Sequence, residues 1–194
     1  MKTLCVYCSS SNRVPEPYLQ AARDLAAAMV RDGYSLVYGG ADAGIMGLIA
    51  AEVHRQGGRV IGAIPQKLAD KGLAWDGLDE CVITGDMRER KRVMEERADA
   101  FITLPGGFGT LEEVLEIITL KQLQYHNKAI VLLNISGFFD SLLALFARIF
   151  SENFAKPEFE RLYHIAADPA DALSYIRAYQ PPPPIEKWGS TRAV

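Results

Sequence analysis

Ala100-Phe101-Ile102-Thr103-Leu104-Pro105-Gly106-Gly107-Phe108-Gly109-Thr110-Leu111-Glu112-Glu113 holds a strand, a turn and a helix start in fourteen residues. Ala100–Leu104 is short, apolar and β-rich, the pattern of a buried parallel strand. Pro105 ends it. Glycine at three of the four positions 106–109 lets the backbone turn tightly and come close to a ligand. Periodic apolar residues then predict a helix from about Gly109 to Gln124, with the stripe Leu111, Val114, Leu115 and Ile118.

The same alternation extends in both directions. Strands are predicted at Thr3–Cys8, Ser35–Tyr38, Arg59–Ile64, Cys81–Thr84, Ala129–Leu133 and Tyr163–Ala166. Helices are predicted at Pro17–Asp32, Gly44–Gln56, Met87–Ala98, Phe138–Asn153 and Asp168–Tyr179, the last with Asp168 as cap and Pro169 in its first turn. Gln66–Asp79 lacks periodicity and reads as a long loop. Pro181–Pro184 forces an extended tail. No internal repeat or linker divides the chain, so residues 1–180 read as one domain and 181–194 as a Pro-rich tail. Strand–helix alternation implies an α/β fold: a single-domain, Rossmann-like, doubly wound parallel sheet with helices on both faces. In such sheets ligands bind at the carboxyl ends of the strands. Three predicted strand ends carry small or Gly-rich turns: Ser9-Ser10-Ser11, Gly39-Gly40 and Pro105–Thr110. They imply one shared cleft.

Bulk properties narrow the function. Hydrophobic residues make up 49% of 194, enough for a real core, and the net charge of −3 argues against a nucleic-acid partner. The apolar run Leu4–Cys8 is too short for a signal peptide or membrane span, so a cytoplasmic protein with no membrane partner is expected. Cys5, Cys8 and Cys81 do not form a disulfide framework. Cys5 and Cys8 spell C-x-x-C, but three residues apart on a strand they point to opposite faces. His54, His126 and His164 are dispersed. No metal site is expected.

Gly40-Ala41-Asp42-Ala43-Gly44-Ile45-Met46-Gly47 fails the dinucleotide fingerprint, because Asp42 occupies the second glycine position and no acidic residue ends the next strand. It reads instead as one wall beside a phosphorylated ligand. The turn at 105–110 is the better anion site: its N–H groups lie at a helix N-terminus, where the dipole favours negative charge. No lysine follows the last glycine, so it is not a Walker A loop. Glu112 and Glu113 could each serve as a carboxylate beside this pocket, and spacing leaves the choice open. Arg88-Glu89-Arg90-Lys91-Arg92 is the strongest basic cluster. One or two of its members are expected to face the cleft, where arginine offers a planar fork to phosphate.

At these residues the chain resembles the LOG (LONELY GUY) family. Residues 105–113 match its P-G-G-x-G-T-x-x-E signature, and Met87-Arg88-Glu89-Arg90-Lys91 matches M-x-x-R-K. Val37-Tyr38-Gly39-Gly40 with Gly44–Gly47, Ile61-Gly62 with Ile64-Pro65, and Gln122-Leu123 with His126 and Lys128 also fit. The resemblance spans about Lys2 to Asp171. It implies a phosphoribohydrolase that cleaves the N-glycosidic bond of N6-modified AMP, or of AMP, to free base and ribose 5-phosphate. It further implies a homodimer that needs no cofactor. Carried over by position, it makes Arg90 and Glu113 catalytic. Lys91, Gly106, Gly107, Phe108, Gly109, Thr110, Leu111, Glu112 and Thr119 become substrate contacts, with Gly40, Met46 and Ser10 lining the same cleft. Many members have carried the label lysine decarboxylase. The sequence departs from the pattern at Arg88, Leu120 and Ala41, and no glutamate of the Gln66–Asp79 loop aligns with the one usual there. The alternative from another class is a non-catalytic nucleotide or cofactor carrier on the same fold.

Overall fold

The computed structural model describes residues 2–185. Its seven strands form one parallel sheet in the order β4-β3-β2-β1-β5-β6-β7. They are β1 (Thr3–Tyr7), β2 (Ser35–Tyr38), β3 (Val60–Pro65), β4 (Glu80–Thr84), β5 (Ala100–Thr103), β6 (Ala129–Leu133) and β7 (His164–Ala166). The helices are α1 (Glu16–Arg31), α2 (Gly44–Arg55), α3 (Gln66–Ala69), α4 (Met87–Arg97), α5 (Phe108–Gln122), α6 (Asp140–Ser151) and α7 (Pro169–Ala178). Every predicted strand and helix forms, with ends shifted by at most two residues. The part of the predicted tail at 186–194 lies outside the described residues. No helix among the described residues is long and apolar enough to cross a membrane.

Each face of the sheet has its own apolar layer. Leu4, Val6 and Cys8 pack with Leu25, Met29, Ile49 and Leu173 under α1, α2 and α7. Cys5, Tyr7 and Phe101 pack with Met94, Val114, Ile117 and Phe139 under α4 and α5 and beside α6. Cys5 and Cys8 therefore belong to opposite faces, as strand geometry requires. Burial pushes both thiols far above their ordinary pKa, which makes them poor thiolates.

β1 is the switch point of the topology. From it the strand order runs one way through β2, β3 and β4, and the other way through β5, β6 and β7. The crevice outside the carboxyl ends of β1 and β5 is where an open α/β sheet binds its ligand. The three turns singled out by sequence follow β2, β1 and β5, which are neighbours.

Three expectations need correction. Gln66–Asp79 is not without structure: Pro65 leads into one helical turn, α3, and Ala74 pairs antiparallel with Ala41. Trp75 N–H also donates to Gly40 O (3.0 Å), so this segment is tied to the β2 turn. The predicted Phe138–Asn153 helix is shorter: a 3₁₀ turn at Ile135–Gly137 precedes it, and α6 runs only from Asp140 to Ser151. Finally, α5 buries Thr110, Glu113, Val114, Ile117 and Lys121, and leaves Leu115 exposed and Leu111 and Ile118 half-buried. The helix is rotated by about 100°, one residue, from its apolar stripe. Thr110, Glu113 and Lys121 share the inward positions with Val114 and Ile117, and apolar Leu115 is left outside.

Candidate active site

Two helix N-termini meet the crevice, and they differ. α2 is closed. Ser9 O accepts from Ile45 N (2.9 Å) and Met46 N (3.3 Å), and Asn12 Oδ1 accepts from Gly44 N (2.7 Å). Gly44 has φ +55° and lies against the backbone of Ser10 and Ser11. The first N–H groups of α2 are thus spent on the loop after β1. Gly40 (φ +76°) abuts Ala63 and Ile64, which packs this turn against β3. Asn12 gave no signal in the sequence, since a cap from 32 residues away is invisible to local pattern.

α5 is open. Gly107 is its N-cap, no side chain caps it, and nothing lies within 4 Å of where a Cβ on Gly107 or Gly109 would stand. A ligand anion therefore meets bare N–H groups with the dipole behind them. Gly106 has a different task, because a Cβ there would lie 2.1 Å from Thr110 Oγ1. Thr110 is buried against this turn, whereas Phe108 is 93% exposed.

Arg90 reaches the crevice from α4. Asp86 caps that helix, accepting from Arg88 N and Glu89 N (both 2.8 Å), while the Glu89 carboxylate accepts from Gly85 N (2.7 Å). This reciprocal arrangement at the start of the basic run sets the rotation of α4. Backbone hydrogen bonds from Glu89 and Arg88 hold the Asp86 carboxyl below its usual range. Arg90, 6% exposed, is then turned inward. Its Nε donates to Ala63 O (3.2 Å) and Gly39 O (3.4 Å), and its Nη1 donates to Glu113 Oε1 (2.8 Å). The guanidinium fills the space a side chain at 39 would need, since a Cβ there would lie 1.6 Å from Arg90 Nη2 and 2.6 Å from Met46 Cε. Gly39 is thus required by Arg90, a tie no local motif announces.

Burial raises the Glu113 pKa, and Arg90 opposes that shift by Coulomb attraction and its hydrogen bond. The result is a desolvated carboxylate held by a single guanidinium at the switch point. Lys91 takes the other side of α4, where its Nζ is held by Glu112 and by Glu116 Oε2 (2.8 Å). Of the five residues 88–92, Arg90 and Lys91 point toward α5. Glu112 thus faces Lys91 on the outer flank, and Glu113 faces Arg90 within. Met46 adjoins the pair, and Ser10 lies exposed on the β1 loop. Thr119 and Leu111 are not brought to Arg90 and Glu113. They line an open groove of about 550 Å³ along the outer face of α5, and Thr119 Oγ1 bonds back to Leu115 O (2.8 Å). Tyr38 and Thr103, at the ends of β2 and β5, are wholly buried with hydroxyls that have no hydrogen-bond partner.

A switch-point crevice, an open helix N-terminus and a buried Arg–Glu pair define a Rossmann-like α/β protein with a candidate site for an anionic ligand. Comparison gives the family. A family model described as possible lysine decarboxylase matches residues 46–176. A probable cytokinin riboside 5'-monophosphate phosphoribohydrolase of Oryza sativa subsp. japonica is 42% identical over 182 residues, 94% of this chain and 74% of that one. A cytokinin riboside 5'-monophosphate phosphoribohydrolase of Arabidopsis thaliana is 41% identical over 180 residues, covering 93% and 79%. The chain belongs to this family, the LOG phosphoribohydrolases. Among solved structures, the molybdenum cofactor carrier protein from Chlamydomonas reinhardtii is similar in fold, with a TM-score of 0.70 over 91% of this chain and 96% of that one. At 23% identity this likeness concerns the fold alone.

Proposed function

We propose that the protein hydrolyses the N-glycosidic bond of adenosine 5'-monophosphates, N6-modified (cytokinin riboside 5'-monophosphate) or plain, to free base and ribose 5-phosphate. The observation that carries this reading is the buried Arg90–Glu113 pair beside the open N-terminus of α5, in a chain 42% identical to a relative so named. In the reaction, water adds to C1' as the bond from C1' to the base nitrogen breaks, and the leaving base takes up a proton. The transition state has oxocarbenium character. The Glu113 carboxylate stabilises that positive charge and orients the water or the ribose hydroxyls. Arg90 keeps Glu113 in place and ionised; it is not an acid, because guanidinium does not deprotonate in proteins. The N–H groups at Gly107–Thr110 and the Lys91 ammonium receive the phosphate, with Glu112 and Glu116 releasing Lys91 to it.

The decisive assay measures ribose 5-phosphate and free base from AMP, N6-isopentenyl-AMP, dAMP and the unphosphorylated nucleosides. Release from the monophosphates is expected, with little from the nucleosides. Tight nucleotide binding without sugar release would instead support a carrier. Carbon dioxide from lysine with pyridoxal phosphate absorbance would support the decarboxylase label.

The working unit proposed is a homodimer in the cytoplasm, with residues 1–180 forming its catalytic domain. Exposed Phe108 and Leu115 with half-buried Leu111 and Leu120 make an apolar strip on α5, which continues into a hollow against Phe146 and Phe150 of α6. A patch of that kind on a water-soluble chain marks a contact surface. A second copy seated there would also close the flank on which Thr119 lies. A light-scattering mass equal to one chain would contradict it.

A further inference from the structure

Glu113, Ile117 and Lys121 lie four residues apart on the buried face of α5. At 1.5 Å per residue, Lys121 is about 12 Å along the axis from Glu113. It borders a different cavity, of about 210 Å³, between the end of α5, the 3₁₀ turn Pro157–Leu162 and the segment 182–185. That is ample for more than one water, which needs roughly 10–15 Å³.

Lys121 is 4% exposed. Its Nζ donates to Leu162 O (2.9 Å) and stands 4.9 Å from the centre of the Tyr179 ring. Neither group carries a charge to match the ammonium, although the last-turn carbonyls of α5 offset part of it. Among the described residues no carboxylate lines the cavity. His126, also at the wall, is neutral: its Nε2 meets Ile117 O (2.9 Å), its Nδ1 accepts from Lys128 N (3.2 Å), and burial pushes its pKa down to about 4. Burial likewise lowers Lys121 to about 8, with no acidic group working against the shift. Gln122, Gln124 and Asn127 are neutral polar residues of the wall, and Gln124 Nε2 donates to Ile185 O (3.5 Å). A buried ammonium with one carbonyl acceptor and open space beside it has no counter-ion among the described residues.

We propose that this cavity is a second binding site, separate from the Arg90–Glu113 crevice, that takes a small oxyanion (a phosphate or carboxylate group) on Lys121. The anion supplies the missing charge and uses the ammonium donors that Leu162 leaves free. The site shares α5 with the catalytic residues but none of its atoms.

Lysine ¹³Cε and ¹⁵Nζ resonances of the full-length labelled protein test this, with Lys121 assigned from its disappearance in Lys121→Met. Lys121→Arg serves for assignment if the methionine variant does not fold. Inorganic phosphate and acetate are titrated separately against sodium chloride of equal ionic strength. Expected is a saturable shift of the Lys121 signals with phosphate, acetate or both, and none with chloride. A response to phosphate alone assigns the phosphate class. The proposal is overturned if the Lys121 signals do not saturate, if chloride moves them equally, or if only the Lys91 signals respond.

Discussion

Arg90 Nη1 lies 2.8 Å from Glu113 Oε1, joining α4 to α5 across the carboxyl edge of the sheet. Each group is nearly solvent-free, and among the described residues each is the other's only charged partner by direct contact. Removing one partner of such a pair leaves a buried charge behind, at a cost of about 3–5 kcal/mol. Glu113→Gln keeps the shape and the hydrogen bond while deleting the charge. Its kcat with AMP or N6-isopentenyl-AMP is expected to fall by about 10²–10⁴-fold, with an unchanged circular dichroism spectrum. Undiminished turnover would remove Glu113 from the mechanism.

The pH profile follows from the same carboxylate. Burial raises the Glu113 pKa, and the ionised form is the working one. Activity is therefore lost on acidification at a pH above the ordinary glutamate value of about 4.3. Stability runs the other way for this group. With its folded pKa raised, its contribution is fully present below the unfolded value and is lost as pH rises through the folded one. An acid limb of kcat/KM in the wild type that persists unchanged in the residual activity of Glu113→Gln would assign the limb to another group.

Two glycines separate packing from ligand approach. Gly39→Ala puts a Cβ on the Arg90 guanidinium, which three acceptors hold in place. Overpacking of this kind costs about 1–3 kcal/mol, and activity should fall with it. Gly107→Ala meets open space at an ordinary φ of −87°. Its stability should stay within about 0.5 kcal/mol, while KM rises because the methyl stands where the ligand approaches. Thermal unfolding and steady-state kinetics on both variants measure the contrast. Equal effects of the two would remove the distinction.

Gly44→Ala tests whether the N-terminus of α2 is structural. Its φ is +55°, and a Cβ there would lie 2.5 Å from Ser11 O and 2.6 Å from Ser10 C, both backbone atoms. The variant should lose about 1–3 kcal/mol of stability. KM for the monophosphate should change little, because the α2 N–H groups are already bonded to Ser9 and Asn12. A large rise in KM at unchanged stability would place phosphate on α2 instead.

The α/β alternation, the sheet class and the importance of 105–113 are legible in the sequence, because strand and helix periods and turn glycines are local properties of the chain. Motif resemblance added the preference for Glu113 over Glu112, which spacing leaves open. Tertiary structure decided the rest. The apolar stripe Leu111–Val114–Leu115–Ile118 suggests one rotation of α5, but the helix packs about one residue away from it. That rotation turns Glu113 and Lys121 inward and leaves Leu115 exposed, a choice set by the buried partners Arg90 and Leu162 from other elements. The two Gly-rich turns look alike as sequence. Only the fold shows that Ser9 and Asn12 close α2 while α5 stays open, because the groups that satisfy a helix end can come from anywhere in the chain.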